Sequence, residues 1–245
     1  MHSVIVGGTR GLGRELVRLF SEQGRTVSVI GRRPPGENDR SLPGTHFWTA
    51  DLSDERELRR VLDEVVARHG KLNALVSLQR FKGDGDPWTG EFATSLTATK
   101  LVIERLAGDF CEEGDKAIVL VGSVVGRFIA GGQPVGYHVA KAALCQMARY
   151  YAVELGPRGI RVNCVSPCTF VKEENAGFYK GNDALHGLFK HIIPLGRMGT
   201  ARDSADVIAF LCGPQASFVT GQEIVVDGGV SLLSQEALAR KVTGL

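Results

Sequence analysis

The chain has 245 residues, 43% of them hydrophobic and 23% charged, and a net charge of +2. That length supports one large core, and charges of both signs interspersed along it give no basic face for nucleic acid and no anchor for an acidic membrane surface. The opening MHSVIVGGTRG enters a strand at once, without a basic leader, a long apolar run or a cleavage site. A cytoplasmic protein acting on a small molecule is expected.

Ser3 to Val6 is a short apolar run that feeds into Gly7-Gly8-Thr9-Arg10-Gly11-Leu12-Gly13, after which Leu16, Val17, Leu19 and Phe20 recur at helical spacing up to Gly24. Strand, glycine-rich turn and helix follow one another. In that context glycines let the backbone approach a pyrophosphate, and the new helix aims its free N–H groups and positive dipole end at the charge. Thr26 to Ile30 reads as the second strand and ends at Gly31-Arg32-Arg33, where a doubly wound fold meets the adenosine ribose. An acid there would suit a free 2′-hydroxyl, whereas the N–H fork of an arginine suits a 2′-phosphate. NADP(H) is therefore favoured over NAD(H), with Arg10 as a further cation. The competing reading makes Arg32 and Arg33 solvated loop charges.

Pro34, Pro35, Gly36, Pro43 and Gly44 make the second crossover a loop rather than a helix. Thr45 to Thr49 is the third strand, Asp51 follows, and Ser53 is expected to cap a helix with acids in its first turn and Arg68-His69 at its end. Leu72 to Leu78 reads as strand, Trp88 to Cys111 as helix, Ala117 to Val121 as strand and Tyr137 to Leu155 as helix. Ile160 to Val165, the helix Ser204 to Cys212 and the strand Glu223 to Val226 complete the alternation. It implies an α/β fold, a single-domain Rossmann-like doubly wound parallel sheet over 1–245 with helices on both faces. Asp183 to Gly199 reads as an irregular substrate lid.

Tyr137 and Lys141 are four apart on their helix, so they share a face about 6 Å apart. A cation that close lowers the phenol's ordinary pKa of about 10 by about 1 to 3 units, which makes a proton donor near neutral pH. The same spacing arises by chance on any helix, and the pair gains meaning only from its surroundings. The five cysteines, Cys111, Cys145, Cys164, Cys168 and Cys212, lack CxxC spacing and read as free thiols in a reducing compartment. No partner ligands accompany His186 and His191, and no metal is expected.

The motifs in series resemble the short-chain dehydrogenase/reductases over nearly the whole chain. VGGTRGLG resembles the family's TGxxxGxG cofactor loop with Val6 in place of Thr, Asp51-Leu52 its adenine-contacting pair, GSVVG at 122–126 its catalytic serine segment, and YHVAK its YxxxK. RVNCVSP at 161–167, GRMGT at 196–200 and FVTGQEIVVDGG resemble its closing segments, especially in the acyl-carrier-protein reductase-like branch. The resemblance implies that Tyr137 is the general acid or base, that Ser123 hydrogen-bonds the reacting oxygen, and that Lys141 holds the nicotinamide ribose and acidifies the tyrosine. It implies cofactor contacts at Gly7, Thr9, Arg10, Gly11, Leu12, Gly13, Arg32, Arg33, Asp51, Leu52, Tyr137, Lys141, Pro167 and Thr169. The chemistry is coherent, since hydride transfer to a carbonyl leaves an oxyanion that needs a proton donor and a fixed hydrogen-bond donor together.

Two segments depart from the family pattern. Ser77-Leu78-Gln79-Arg80 replaces NNAG, and Ser95 stands where the active-site Asn is expected, seven residues after Trp88. Ser95 has a donor and an acceptor with which to hold the family's water chain from the lysine. Arg80, with Lys82, either faces the active-site mouth and binds a carboxylate or phosphate, or turns outward while Phe81 packs. Lys172 falls where a carboxamide-binding Thr is frequent, and Thr169 is the candidate to replace it. Cys168 reads either as a small buried residue or as a reactive thiol.

Two functions stand at this point. One is an NADP(H)-dependent oxidoreductase moving a hydride between nicotinamide and a carbonyl or secondary alcohol, with an activated sugar or other anionic metabolite among its substrates. The other is a cofactor-binding sensor or assembly protein with reduced or lost turnover. The resemblance further implies a homodimer or homotetramer through Thr94 to Cys111, Tyr137 to Leu155 and the last strand. The tail, Ser231 to Leu245, either covers a neighbouring subunit or frays.

Overall fold

Apolar runs buried on both sides become the middle strands of a parallel sheet, because helices must cover both of its faces. The computed structural model describes Met1–Gly244, apart from the Lys180 side chain. Its main strands are β1 (His2–Val6), β2 (Thr26–Gly31), β3 (Thr45–Thr49), β4 (Ala74–Ser77), β5 (Ala117–Val121) and β6 (Arg161–Pro167). Two-residue strands β7 (Phe170–Val171) and β8 (Gly199–Thr200) pair with each other, and β9 (Glu223–Val226) closes the main sheet in the order β3-β2-β1-β4-β5-β6-β9. All pairings are parallel. The order reverses direction between β1 and β4, which opens a crevice at the carboxyl ends of the strands.

The helices are α1 (Gly11–Glu22), α2 (Glu37–Arg40), α3 (Glu55–His69), α4 (Pro87–Glu91), α5 (Ala98–Leu106) and α6 (Val135–Leu155). They continue with α7 (Ala176–Lys180), α8 (Asp183–Ile192), α9 (Ala201–Leu211) and α10 (Gln235–Thr243). Leu58, Leu62, Ile103, Leu106 and Leu144 from α3, α5 and α6 fill one side of the sheet, while Leu16, Phe20, Ile208 and Leu211 from α1 and α9 fill the other. Each such side chain contributes about 1.5–3 kcal/mol by leaving water. Arg161, 8% exposed, closes the end of α9 by donating to Leu211 O at 2.7 Å and Gly213 O at 3.0 Å.

Several local expectations are corrected. The second crossover carries one helical turn, α2, held by Arg14 and Arg18 on the buried Asp39. The cap of α3 is Asp54, whose carboxylate accepts from the Arg56 and Glu57 N–H groups, while Ser53 instead donates to Asp51. Strand β4 is shorter than expected, with Leu72 in an isolated bridge to Phe110. The stretch from Trp88 is not one regular helix, because a π-helical turn at Phe92–Thr97 separates α4 from α5.

Asp183 to Gly199 is irregular only from Ile193 to Met198; before that it forms the helix α8. Asn182 caps α8 through the Leu185 N–H, and Leu185, Leu188, Phe189 and Ile192 recur on one face. The tail does not fray within the described residues; Ser234 caps α10, which packs on α8 with Lys241 Nζ donating to His191 O at 3.3 Å. Leu245 lies outside the described residues.

Candidate active site

The crevice is a cavity of about 660 Å³ along the carboxyl edge of the sheet, a size suited to a small-molecule or cofactor site. Its floor is made by two glycines that admit no side chain. Gly7 has φ +89°, and a Cβ on it would lie 2.8 Å from Gln79 N; a Cβ on Gly13 would lie 2.2 Å from Gly7 O. The glycine turn is thereby pressed against the end of β4, and the first turn of α1 opens into the cavity.

Every residue expected to touch a nicotinamide cofactor lines this cavity: Gly7, Thr9, Arg10, Gly11, Leu12, Gly13, Arg32, Arg33, Asp51, Leu52, Tyr137, Lys141, Pro167 and Thr169. Arg10, Arg32, Arg33, Arg80, Lys82, Lys141 and Lys172 face it against only two carboxylates, Asp51 and Glu174, so the field within it favours a polyanion. Burial, then Lys172 and Arg80, push the Lys82 ammonium below its ordinary pKa. Arg32 Nη2 donates to Lys82 O, which fastens the loop after β4 to the end of β2. At Asp51 the backbone and hydroxyl donors of Ser53 hold the carboxyl below its ordinary range.

At the other end of the cavity, Ser123, Tyr137, Lys141 and Arg80 come together. Gly136 makes this possible, because a Cβ there would lie 2.9 Å from Pro87 O and Trp88 Cα, so α4 sits directly against the start of α6. Lys141 is 3% exposed, its Nζ 5.7 Å from the Tyr137 ring centroid and donating to Val121 O at 2.8 Å. Burial lowers its pKa to about 8, with the Glu91 charge opposing that fall. Ser123 Oγ reaches Pro167 O at 3.3 Å. The Arg80 guanidinium lies 4.4 Å over the Tyr137 ring and lines the cavity, so of the two sequence readings it faces the mouth. Such a constellation can give or take a proton at an oxygen held between Ser123 and Tyr137.

Ser95 departs from expectation. It is fully buried, does not line the cavity, and commits its hydroxyl proton to Glu91 Oε2 at 2.5 Å. Cys168 lines the cavity half-buried, and burial raises its pKa to about 11, which keeps it a thiol. Among the described residues no cluster of three or more His, Cys, Asp or Glu is gathered for a metal.

Four residues have contacts around the cavity that sequence reading did not assign to them. Gln79, 6% exposed, donates to Thr99 Oγ1 at 2.7 Å and supports the glycine turn. Lys172 stands against Gly11, and Glu174 accepts from the Gly11 N–H at 2.9 Å. Glu91 is the fourth, 2% exposed beneath the Phe81 N–H. Little local signal marked it, since Pro87, Trp88 and Thr89 of the same short helix are exposed and Glu91 is the residue of α4 that turns inward.

A glycine turn at a sheet's switch point with a Tyr–Lys pair across the cavity defines a class of nicotinamide-dependent enzyme. Residues 6–231 match the family described as enoyl-(acyl carrier protein) reductase, and the chain belongs to the short-chain dehydrogenase/reductases, the NAD(P)-dependent oxidoreductases. It is 30% identical over 241 residues, 93% of this chain and 96% of the relative, to the 3-oxoacyl-(acyl-carrier-protein) reductase of Chlamydia pneumoniae. Glucose 1-dehydrogenase of Gluconobacter oxydans (strain 621H) is 29% identical over 243 residues, 94% of this chain and 91% of the relative. Among solved structures, levodione reductase matches with a TM-score of 0.84 at 25% identity, covering 95% of this chain and 98% of that one. A short-chain type dehydrogenase/reductase from Mycobacterium ulcerans matches with a TM-score of 0.83 at 25% identity, covering 97% of each chain.

Proposed function

We propose that the protein is an NADP(H)-dependent reductase or dehydrogenase that interconverts a carbonyl and a secondary alcohol on a small molecule carrying an anionic group. The observation that carries this reading is the Arg80 guanidinium 4.4 Å over the Tyr137 ring, at one end of a cavity whose other end is lined by Arg10, Arg32 and Arg33. When bound, the nicotinamide supplies or accepts the hydride at its C4. Tyr137 gives or takes the proton at the substrate oxygen, and Ser123 donates a hydrogen bond to that oxygen. Lys141 keeps a positive charge beside the phenol. Arg10, Arg32 and Arg33 support a 2′-phosphate, while Asp51 and Leu52 border the adenine end. Arg80 and Lys82 offer the substrate's anionic group a charge-assisted partner.

Titration with NADPH and NADH, followed by a screen of carbonyl compounds with and without an acidic group, tests cofactor and substrate class together. NADPH is expected to bind about tenfold or more tightly, and equal affinities would remove the NADP preference. Arg80→Ala should raise KM for an acidic substrate about tenfold with NADPH affinity kept. Unchanged kinetics would remove Arg80 from the substrate site.

A second reading, a cofactor-binding sensor with little turnover, is favoured by the burial of Ser95 away from the cavity. Retention of Ser123, Tyr137 and Lys141 around the cavity opposes it. Assembly as a homodimer or homotetramer is supported by Val139, Tyr150 and Val153, exposed on one face of α6, and by the fully exposed Phe218. A monomeric mass in solution would count against it. Five free cysteines support a reducing compartment, the cytoplasm. No helix among the described residues is long and apolar enough to cross a membrane.

A further inference from the structure

Glu91 is the last residue of α4, and its carboxylate is buried to 2% exposure. One of its oxygens, Oε2, accepts both the Ser95 hydroxyl, 2.5 Å away and one helical turn on, and the Phe81 N–H at 3.3 Å. Both donors are neutral, so neither cancels a negative charge on the carboxylate. Burying a carboxylate this way costs several kcal/mol unless a nearby cation balances it. The neighbouring buried cation is Lys141, on the helix whose Gly136 abuts the backbone of α4.

Lys141 has its own unsettled account. Its ammonium is 3% exposed and makes a hydrogen bond to the neutral Val121 carbonyl. The charged and titratable groups acting on it are Glu91 from α4, Arg80 from the loop after β4, Cys145 one turn further along α6, and Cys164 of β6. Tyr137 lies on its own helix. Arg80 opposes the ammonium, the Cys145 and Cys164 sulfurs lie 3.3 Å apart and share a hydrogen bond with each other, and Glu91 is the one carboxylate among these groups.

We propose that Glu91 is a positioning residue that supplies the buried counter-charge for Lys141 and, through Ser95 and the Phe81 N–H, fixes the turn that holds Arg80 over Tyr137. This rests on the reading of Tyr137 and Lys141 as the working pair. Without the carboxylate, burial would strip the ammonium of its charge at lower pH, and the cation beside the Tyr137 phenol would be lost. The carboxylate thus occupies the helix turn below Ser95 and acts on Lys141 through charge, where a hydroxyl by itself cannot.

The test uses the full chain labelled with 13C at the lysine Cε, the Lys141 signal being assigned by its absence in Lys141→Arg. In Glu91→Gln the Lys141 titration should move to lower pH by about 1 unit, a tenfold change in its ionisation constant. Glu91→Met, which leaves no buried amide, should show the same shift, and Glu91→Asp should restore the original titration. Ser95→Ala keeps the charge and should leave it within about 0.3 unit. An unmoved titration in the two neutral variants, or an equal shift in Ser95→Ala, would overturn the proposal. The alkaline limb of the pH–rate profile should move with the titration. If the titration moves while no carbonyl substrate is turned over, Glu91 keeps its role toward Lys141 and the functional reading fails instead.

Discussion

A lysine that is 3% exposed holds its proton less firmly than one in water, even with its ammonium bonded to a carbonyl oxygen, which is why Lys141 titrates near 8. The sign follows from desolvation, which penalises the ammonium and not the amine. Below about pH 8 the charge beside Tyr137 is present, and above it the charge is lost. A reduction that needs both the ammonium and the tyrosine proton should therefore slow as pH rises through about 8, visible as an alkaline limb in kcat/KM. Tyr137→Phe removes the proton donor alone. We expect kcat to fall about 10²- to 10⁴-fold with the NADPH dissociation constant unchanged. Retained turnover in that variant would assign the proton to another group and return weight to the sensor reading. The spacing of Tyr137 and Lys141 was readable from the chain, but the burial of the lysine was not, because it depends on Val121 arriving from another element.

At the scale of elements, the segment after β7 reaches back to the start of α1. Glu174 accepts from the Gly11 N–H, and Glu173 meets Arg14 and Arg18, with 2.6 Å to the latter. That carboxylate lies at the positive end of α1, where a pyrophosphate would also be drawn. Replacing it by Glu174→Gln should tighten NADPH binding about fivefold, equivalent to about 1 kcal/mol of helix-end electrostatics. Fluorescence titration measures this, and weaker binding in the variant would mean that Glu174 instead holds the loop in its binding shape. Neither the contact nor α8 behind it was anticipated. The contact joins residues 163 positions apart. For α8 the local signal was present in Asn182, Asp183 and the apolar positions that follow, but Gly187 and two histidines within it obscured the pattern.

Across the whole molecule, the amino edge of the sheet carries a histidine cluster. The His46 and His69 rings lie 4.3 Å apart, and His2 lies 5.5 Å from His69. Burial, then the charges of His46 and His2, depress the His69 pKa to about 4. His69 stands in the last turn of α3, where the helix dipole would favour its cation, so burial and like charge outweigh the dipole. A folded pKa below the unfolded value of about 6.5 means the unfolded chain binds the proton first. Stability should be fully present above about pH 6.5 and decline as pH falls toward about 4. Tm measured from pH 7 to 4 should show this fall, and His69→Phe should flatten it. A Tm in the variant with the same slope would place the acid lability elsewhere.

The fold was determined by local sequence to a large degree, because parallel strands buried on two faces must be continuous apolar runs and the helices between them must be amphipathic. β3, β5 and β9 have the bounds their residues imply, and the glycine turn fell where strand met helix. The cavity-lining set was also legible, since a doubly wound sheet brings the carboxyl ends of its strands to one edge. Tertiary structure decided what the site does with its departures. Ser95 turned away from the cavity because Glu91, four residues before it, takes its proton, and Arg80 turned inward because Phe81, packed beside Gly90, and the Glu91 carboxylate fix the turn it leaves from. A charge or a hydroxyl has no fixed direction in a sequence. Its partner, its burial and hence its proton affinity exist only once distant elements have closed around it.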